Sequence, residues 1–208
     1  MKLVVGLGNP GASYRGTRHN LGYAVLDELA ARWHASAARA RFHGRLASAT
    51  APNGTTAALL WPETYMNRSG LAVAEAVGFF RLDPTVDLLV ICDDLNLPLG
   101  RLRLRTRGSD GGQRGLRDVI QRLGTQHFAR LRLGIGPKPP GADAAQFVLS
   151  RFLPEEEAIV AEMLQRAAAC AETWLTEGAD AAMARYNASR RPETASEERG
   201  SEQPPTGD

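Results

Sequence analysis

Four polar side chains in this sequence have complementary chemistry: His19, Asp93, Asn9 and Asn67. A neutral histidine can take a proton near neutral pH, and a carboxylate can orient its ring and stabilise the charged form. An amide can donate a hydrogen bond to an oxygen that gains negative charge. Side chains of these types, brought together, suit acyl transfer, in which a base activates a nucleophile for attack on a carbonyl carbon.

Each of these side chains lies where a predicted strand ends or a predicted helix begins. Residues 3–11 are a valine-rich apolar run that breaks into glycines and a proline, which predicts a buried strand and a tight turn that carries Asn9. Residues 87–92 are the most apolar run and predict a strand that is covered on both faces, directly followed by Asp93. Asp94 is interpreted as a turn residue. Because open α/β sheets bind ligands beyond the C-terminal ends of their strands, we expect the site there.

Helix and strand patterns alternate along the chain, which predicts an α/β fold. We expect a single domain over residues 1–187, with a mixed, mostly parallel twisted sheet that has helices on both faces. Residues 188–208 show no apolar period and predict a disordered C-terminal tail. Beyond the two strands above, the patterns predict strands near 43–49, 55–61, 101–105 and 128–135, and helices near 20–35, 71–80, 116–123 and 154–187, the last with a break near Gly178.

The composition is that of a globular protein. With 208 residues and 43% hydrophobic content, the chain can bury one sizeable core without a partner, so we expect a monomer. No segment is apolar for long enough to span a bilayer and no signal pattern opens the chain, so we expect a cytoplasmic protein. Cys92 and Cys170 belong to no Cys-x-x-Cys pair, which favours buried free thiols.

The glycine-rich turn also matches a different kind of site. Gly6, Gly8 and Gly11 fit the G-x-G-x-x-G fingerprint of dinucleotide-binding proteins. That fingerprint requires a helix directly after the glycines and an acidic residue about 20 residues on, at the end of the next strand. Here the helix is predicted to begin only near Asn20, and the acidic residues at that distance fall inside it. A nucleotide cofactor is therefore disfavoured.

Arginines cluster between residues 101 and 132, although the net charge is only +2. The alternation of arginine and leucine over 101–105 predicts a strand with a basic stripe on one face. The cluster lies beside the glycine-rich loop over 108–115 in the sequence. It is either a binding surface for a phosphate backbone or an ordinary solvent-exposed surface. The proline- and glycine-rich segment 138–142 is a candidate lid over the site.

Several stretches of the sequence, taken in order, resemble the bacterial peptidyl-tRNA hydrolases. The resemblance extends from residue 1 to about residue 187, and several motifs at the family's spacing are more specific than any one motif. The stretches are Val5-Gly6-Leu7-Gly8-Asn9-Pro10-Gly11, Tyr14, Thr17-Arg18-His19-Asn20, Thr64-Tyr65-Met66-Asn67-Arg68-Ser69-Gly70, Asp93-Asp94-Leu95-Asn96-Leu97-Pro98 and Arg130-Leu131-Arg132-Leu133-Gly134-Ile135-Gly136.

The resemblance implies an activity and a mechanism. Enzymes of this family cut the ester that joins a peptide, or an N-acylated amino acid, to the terminal ribose of tRNA, and so recycle tRNA from stalled translation. It implies that His19 is the general base that activates water and that Asp93 orients its imidazole, with no metal and no cofactor. The amides of Asn9 and Asn67 are implied to position substrate and water and to stabilise the oxyanion.

The resemblance also implies contacts with the acceptor end and the phosphate backbone of peptidyl-tRNA. Arg105 and Arg132 match positions that hold a tRNA phosphate, and Tyr14 and Met66 match residues that line the cleft. Asn67 is implied to contact the substrate as well.

One motif departs from the family pattern. The glycine loop of the family commonly reads Gly-Gly-His-Asn-Gly, whereas this chain has Gln113 and Arg114 in place of the histidine and asparagine. We expect Arg114 to replace a neutral contact with the tRNA end by a charged one. The remaining histidines carry no motif and are interpreted as structural.

Two other functions are open from the sequence. A non-enzymatic RNA-binding relative could keep the fold without the activity. A metal-dependent hydrolase could use His19 with Asp93 and Asp94, but no H-E-x-x-H or other paired-histidine spacing supports it. The presence of all four candidate catalytic residues favours the esterase.

Overall fold

A computed structural model describes residues 1–188 and contains a seven-stranded sheet. Numbered along the chain, the strands are β1 (Lys2–Gly6), β2 (Arg39–Arg41), β3 (Gly44–Thr50), β4 (Thr56–Pro62), β5 (Leu88–Pro98), β6 (Leu102–Arg107) and β7 (His127–Gly136). They lie in the order β2-β3-β4-β1-β5-β7-β6. The central strands β4, β1, β5 and β7 are parallel, and only β3 and β6 run in the opposite direction. The predicted mixed, mostly parallel sheet is confirmed.

Helices cover both faces of the sheet, as predicted. They are α1 (Leu21–Arg32), α2 (Ser69–Phe80), α3 (Pro84–Asp87), α4 (Arg114–Leu123), α5 (Ala144–Leu149), α6 (Glu157–Glu177) and α7 (Ala179–Tyr186). Short 3-10 turns lie at Ala12–Tyr14, Arg18–Asn20, Met66–Arg68 and Pro154–Glu156. Helices α1, α6 and α7 pack on one face, and α2 and α4 pack on the other.

Alternate residues of the central strands enter two separate cores. Val4 and Ile91 face the core that contains α1 and α6, while Val5 and Val90 face the core that contains α2 and α4. All four are fully buried. A strand that is buried on both faces must be apolar at every position, which explains the continuous apolar runs.

The glycines after β1 serve close packing. A Cβ atom on Gly6 would lie 2.1 Å from the carbonyl oxygen of Gly22 in α1, so only glycine fits where the helix crosses the strand end. Two 3-10 turns separate Gly11 from the start of α1, and Asp27 and Glu28 lie within that helix. The turn therefore lacks both structural requirements of a dinucleotide site, as the spacing predicted.

Three features differ from the predicted elements. Strand β5 does not end at Cys92 but continues to Pro98, because β7 pairs with it through Asp94 after its pairing with β1 has ended at Ile91. Strand β2 is three exposed residues at the sheet edge. Helix α5 has only six residues and none of them is fully buried, so it is too short to show a helical period of apolar residues.

Other expectations concern the cysteines and the ends of the fold. Cys92 and Cys170 are buried and free, as expected. Within residues 1–188, no helix is both long and apolar enough to cross a membrane. The predicted tail over 188–208 lies outside the described residues except for Ala188, so its disorder stays a prediction.

Candidate active site

A cleft of about 770 Å³ opens where β1 and β4 end and β5 continues. The turn after β1 supplies Asn9, and the 3-10 turn ahead of α1 supplies His19. The turn after β4 supplies Met66 and Asn67, and β5 supplies Asp93. All four predicted catalytic residues therefore line one cleft, at the C-terminal edge of the parallel strands.

His19 and Asp93 form a directly bonded pair. The Oδ2 atom of Asp93 lies 2.8 Å from Nδ1 of His19, and the side chains are 3% and 12% exposed, respectively. Because a carboxylate can only accept, Nδ1 carries the proton and Nε2 is left as an acceptor. Among residues 1–188, Nε2 has no hydrogen-bond partner. The imidazole is therefore oriented to take a proton from a molecule in the cleft.

The second oxygen of Asp93 is bonded to Gln113, a contact that sequence reasoning missed. Gln113 is the N-cap of α4, and its Oε1 accepts a hydrogen bond from the backbone N of Leu116 at 2.7 Å. Its Nε2 donates to Oδ1 of Asp93 at 3.0 Å and lies 3.2 Å from Sδ of Met66. Both carboxylate oxygens of Asp93 are thus held. The available signal was the position of Gln113 directly before the predicted helix.

The side chain of Asn9 is fixed at its oxygen. Its Oδ1 accepts from the backbone N of Met66 at 2.8 Å. Asn20 holds the backbone of Asn9 from both sides, because its Oδ1 accepts from Asn9 N at 2.9 Å and its Nδ2 donates to Asn9 O at 3.0 Å. In the described part of the chain, Nδ2 of Asn9 is left as an unpaired donor. Asn20, predicted only as the start of a helix, is the residue that fixes this turn.

The rim of the cleft carries polar side chains without partners. Asn67 and Arg114 are exposed and line the cleft. Neither side chain makes a hydrogen bond or an ion pair with any residue from 1 to 188. Both are therefore available to a ligand without the loss of an existing contact.

Asp94 is not a turn residue, so that prediction was wrong. It lies within β5 and is 6% exposed. Its Oδ2 accepts from Arg132 at 3.0 Å, and its Oδ1 accepts from the backbone N of Asn96 at 2.8 Å. Arg132 also donates to the carbonyl oxygen of Ser109 at 2.6 Å. Asp94 thus ties the glycine-rich loop to the sheet through Arg132, and its carboxylate is not directed at His19.

The described residues contain no group of three or more His, Cys, Asp or Glu side chains that could hold a metal ion. The metal-dependent alternative used His19 with Asp93 and Asp94. In this structure both oxygens of Asp94 accept hydrogen bonds, one from Arg132 and one from the backbone N of Asn96, and neither is bonded to His19.

The arginines of β6 and β7 have different surroundings. Arg103 and Arg105 are exposed on β6, as the alternation predicted. Arg130 is only 1% exposed and donates to the carbonyl oxygens of Gly108, Gln126 and Phe128. Burial, together with the charge of Arg132, lowers the pKa of Arg130 to about 10, so it stays charged at neutral pH. Arg130 is therefore neither a solvent-exposed surface residue nor an accessible contact for a phosphate.

Two further expectations concern the lining of the cleft. Met66 lines it, whereas Tyr14 is half-buried in a 3-10 turn and is not among the lining residues, so its implied contact with the substrate stays a prediction. The predicted lid segment 138–142 leads into α5, which supplies an apolar wall. That wall is formed by Ala144, Ala145, Val148 and Leu149.

Comparison with known proteins assigns the chain to a family. A family model described as peptidyl-tRNA hydrolase matches residues 3–195. The chain belongs to the peptidyl-tRNA hydrolase family. The resemblance seen in the sequence motifs is thereby confirmed.

Relatives and solved structures agree with this family. The peptidyl-tRNA hydrolase of Chloroflexus aggregans is 49% identical over 187 residues, which cover 90% of this chain and 99% of the relative. That of a Roseiflexus species is 48% identical over 188 residues, which cover 90% and 86%. The crystal structure of peptidyl-tRNA hydrolase from Acinetobacter baumannii is 33% identical with a TM-score of 0.84, and the match covers 90% of this chain and 95% of that one.

In this member of the peptidyl-tRNA hydrolase family, the two substituted positions of the glycine loop have separate surroundings. Gln113 is 7% exposed and bonded to Asp93, whereas Arg114 is exposed at the rim. The neutral donor of Gln113 therefore lies beside the bonded pair of His19 and Asp93, and the added charge of Arg114 lies where the cleft meets solvent.

Proposed function

We propose that this chain hydrolyses the ester bond between a peptide, or an N-acylated amino acid, and the terminal ribose of peptidyl-tRNA, and so recycles tRNA from stalled translation. The observation that carries the proposal is the bond between His19 Nδ1 and Asp93 Oδ2, at 2.8 Å, in a cleft that leaves Nε2 open. Membership of the peptidyl-tRNA hydrolase family supports the substrate.

In the proposed reaction, His19 acts as general base. Its Nε2 removes a proton from water while the water oxygen attacks the carbonyl carbon of the ester. Asp93 keeps accepting from Nδ1 and stabilises the imidazolium that forms. When the tetrahedral intermediate collapses, the bond between the carbonyl carbon and the ribose oxygen breaks. The imidazolium returns its proton to that oxygen, so the peptide leaves with a carboxyl group and the tRNA with a free hydroxyl.

The amides of Asn9 and Asn67 are proposed to act on the substrate. Asn9 has an unpaired Nδ2 donor on a rigid turn, which suits a hydrogen bond to the developing oxyanion. Asn67 is exposed at the rim and suits a contact with the terminal nucleotide or the peptide. Met66 is proposed to pack against the substrate, since it lines the cleft and contacts both Asn9 and Gln113.

The phosphate backbone of tRNA is proposed to lie along the basic face beside the cleft. Arg105 is exposed on β6 and can reach a phosphate. Arg132 is 11% exposed at its side chain and is already bonded to Asp94 and Ser109, so its proposed phosphate contact uses only the remaining N–H groups. Arg114 at the rim is proposed to contact the tRNA end.

The cellular setting is also a proposal. Translation supplies peptidyl-tRNA in the cytoplasm, and we propose that the chain acts there as a monomer, with tRNA as its macromolecular partner. Size-exclusion chromatography with light scattering tests the monomer, and a mass of two chains would contradict it.

The experiment that tests the function is release of the acyl group from an N-acetylated aminoacyl-tRNA, with and without a chelator. The expected result is multiple turnover under both conditions, with deacylated tRNA as a product. Binding of the tRNA without cleavage would instead support the RNA-binding relative. Turnover that stops with the chelator and returns with a divalent metal would support the metal-dependent hydrolase.

A further inference from the structure

Arg18, the residue before His19, is buried within a closely fitted set of contacts. The central carbon of its guanidinium lies 4.5 Å from the ring centroid of Phe147 and 4.6 Å from that of Phe152. Two N–H groups of the same guanidinium pair with both carboxylate oxygens of Glu156, at 3.1 and 2.5 Å. Arginine offers a planar cation that can contact aromatic rings while its N–H groups pair with a carboxylate, so lysine cannot reproduce this arrangement.

The partners of Arg18 belong to the segment that forms the apolar wall of the cleft. Phe147 is part of α5, which lines the cleft and buries none of its residues. Directly after α5, Ser150 accepts hydrogen bonds from the backbone N of Arg18 at 2.9 Å and from its Nε at 3.3 Å. Thr17 forms an isolated β-bridge with Arg151. The turn that carries His19 and the wall of the cleft therefore share one anchor.

We propose that Arg18 is a positioning residue for ester hydrolysis, which holds α5 at a fixed distance from the turn that carries His19. The inference rests on the proposed function. Helix α5 follows a proline- and glycine-rich loop and has no fully buried residue. Phe147 and Val148 pack partly against the core, and the contacts with the Arg18 turn add the directional bonds that hold the wall. A displaced wall would lose its apolar contacts with a bound substrate, which weakens binding, while the bond between His19 and Asp93 stays in place.

The ion pair of Arg18 is better suited to fixing geometry than to adding stability. The Arg18 side chain is 4% exposed and that of Glu156 is 21% exposed. Removing such charges from water offsets much of their attraction, so a buried pair contributes little net stability. Its directional bonds nevertheless define where the two segments lie relative to each other.

The test compares Arg18→Lys with Arg185→Lys. Arg185 forms a similar two-bond pair with Glu177, at 2.9 and 3.0 Å, but it is exposed and lies outside the lining of the cleft. With an N-acetylated aminoacyl-tRNA, Arg18→Lys is expected to raise KM about tenfold and to leave kcat within about twofold, because α5 supplies binding contacts and not the base. Arg185→Lys is expected to leave both constants unchanged.

A change in melting temperature with an unchanged KM for Arg18→Lys would overturn the proposal, because Arg18 would then be a structural residue only. A loss confined to kcat would overturn it as well, since the wall would then play no part in binding. The wild type in the same assay reports on the proposed function separately: no hydrolysis by the wild type would reject that function, whatever the variants do.

Hydrogen exchange of the α5 amides gives a readout that needs no activity. Faster exchange of α5 is expected in Arg18→Lys and not in Arg185→Lys, because loss of the anchor frees the helix to open. Glu156→Gln keeps the shape of the partner of Arg18 and removes its charge, so it is also expected to speed hydrogen exchange of α5. This variant replaces Arg18→Lys in the test if Arg18→Lys does not fold. Equal exchange of α5 in all of these proteins would overturn the proposal.

Discussion

The two parts of the site differ in how their polar groups are held. In the proposed catalytic pair of His19 and Asp93, Asp93 is 3% exposed at its side chain and both of its oxygens are bonded within the protein. Of the arginines that are proposed to contact tRNA, Arg105 and Arg114 are exposed and form no ion pair with any described residue. The difference supports the proposed division between residues for catalysis and residues for tRNA binding. Chemistry needs fixed geometry, which is built from buried contacts, whereas affinity for RNA needs accessible charge.

The comparison predicts that substitutions at the two parts will change different kinetic constants. Asp93→Asn should have the largest effect, because an amide cannot stabilise the imidazolium of His19 as a carboxylate does. We expect kcat to fall about 10³-fold with little change in the KM for peptidyl-tRNA. Steady-state kinetics measures both constants.

Asp94→Asn is the matched control for Asp93→Asn. It changes the next carboxylate of β5, which is bonded to Arg132 and not to His19. An equal loss of kcat in both variants would mean that the bond between His19 and Asp93 is not what sets the rate.

Gln113→Glu tests whether the bond between Gln113 and Asp93 affects catalysis. A glutamate keeps the acceptor for Leu116 N but replaces the donor to Asp93 Oδ1 by a second carboxylate. A second carboxylate this close to Asp93 makes the site as a whole hold a proton up to a higher pH, so the acidic limb of the pH profile of kcat/KM should move to higher pH and activity at neutral pH should fall about tenfold.

The control is Gln121→Glu, which adds the same charge on the exposed side of α4. It should leave the pH profile unchanged. A profile for Gln113→Glu that does not move would show that Gln113 caps α4 without acting on the catalytic pair.

Arg105→Ala and Arg114→Ala should affect binding and not chemistry. Each is expected to raise the KM for peptidyl-tRNA several-fold and to reduce the slope of log K against log salt by about 1, with kcat unchanged. Arg45→Ala, on the opposite part of the sheet, is the control. An unchanged KM and salt slope for Arg114→Ala would reject the charged contact with the tRNA end.

The smallest expected effect concerns stability at acid pH. Burial opposes ionisation of Glu156, but hydrogen bonds from Arg18 and the backbone N of Leu153 outweigh it and hold the pKa of Glu156 below its usual 4.5. Because the folded pKa is the lower one, this stabilisation is fully present above pH 4.5 and is lost as the pH falls through the folded value.

Denaturant unfolding of the wild type and Glu156→Gln at a series of pH values measures this effect. The wild type should be the more stable protein above about pH 5, and the difference should shrink as the pH falls. A difference that stays constant down to low pH would mean that the charge of Glu156 is not its source.

The sequence predicted the parts of the fold that depend on local pattern. The apolar runs predicted β1 and β5, and the polar residues that follow each run predicted a site at the edge of the sheet where these strands end. This was enough to place His19 and Asp93 at one edge. The surroundings of the other polar residues depend on distant partners. Asp94 and Arg132 meet because β5 continues alongside β7, and Arg130 is buried because distant backbone carbonyls surround it. No local pattern predicts contacts between segments that are distant in the sequence, and the six residues of α5 are too few to show a helical period.

The most direct test of the account is the hydrolysis of an N-acetylated aminoacyl-tRNA by the wild type and by His19→Ala, with His127→Ala as an exposed control. His19→Ala should lower kcat about 10³-fold, while the melting temperature of the variant and its Kd for tRNA stay close to those of the wild type. His127→Ala should keep full activity. A folded His19→Ala protein that retains kcat within a few-fold of the wild type would contradict the role of His19 as the base.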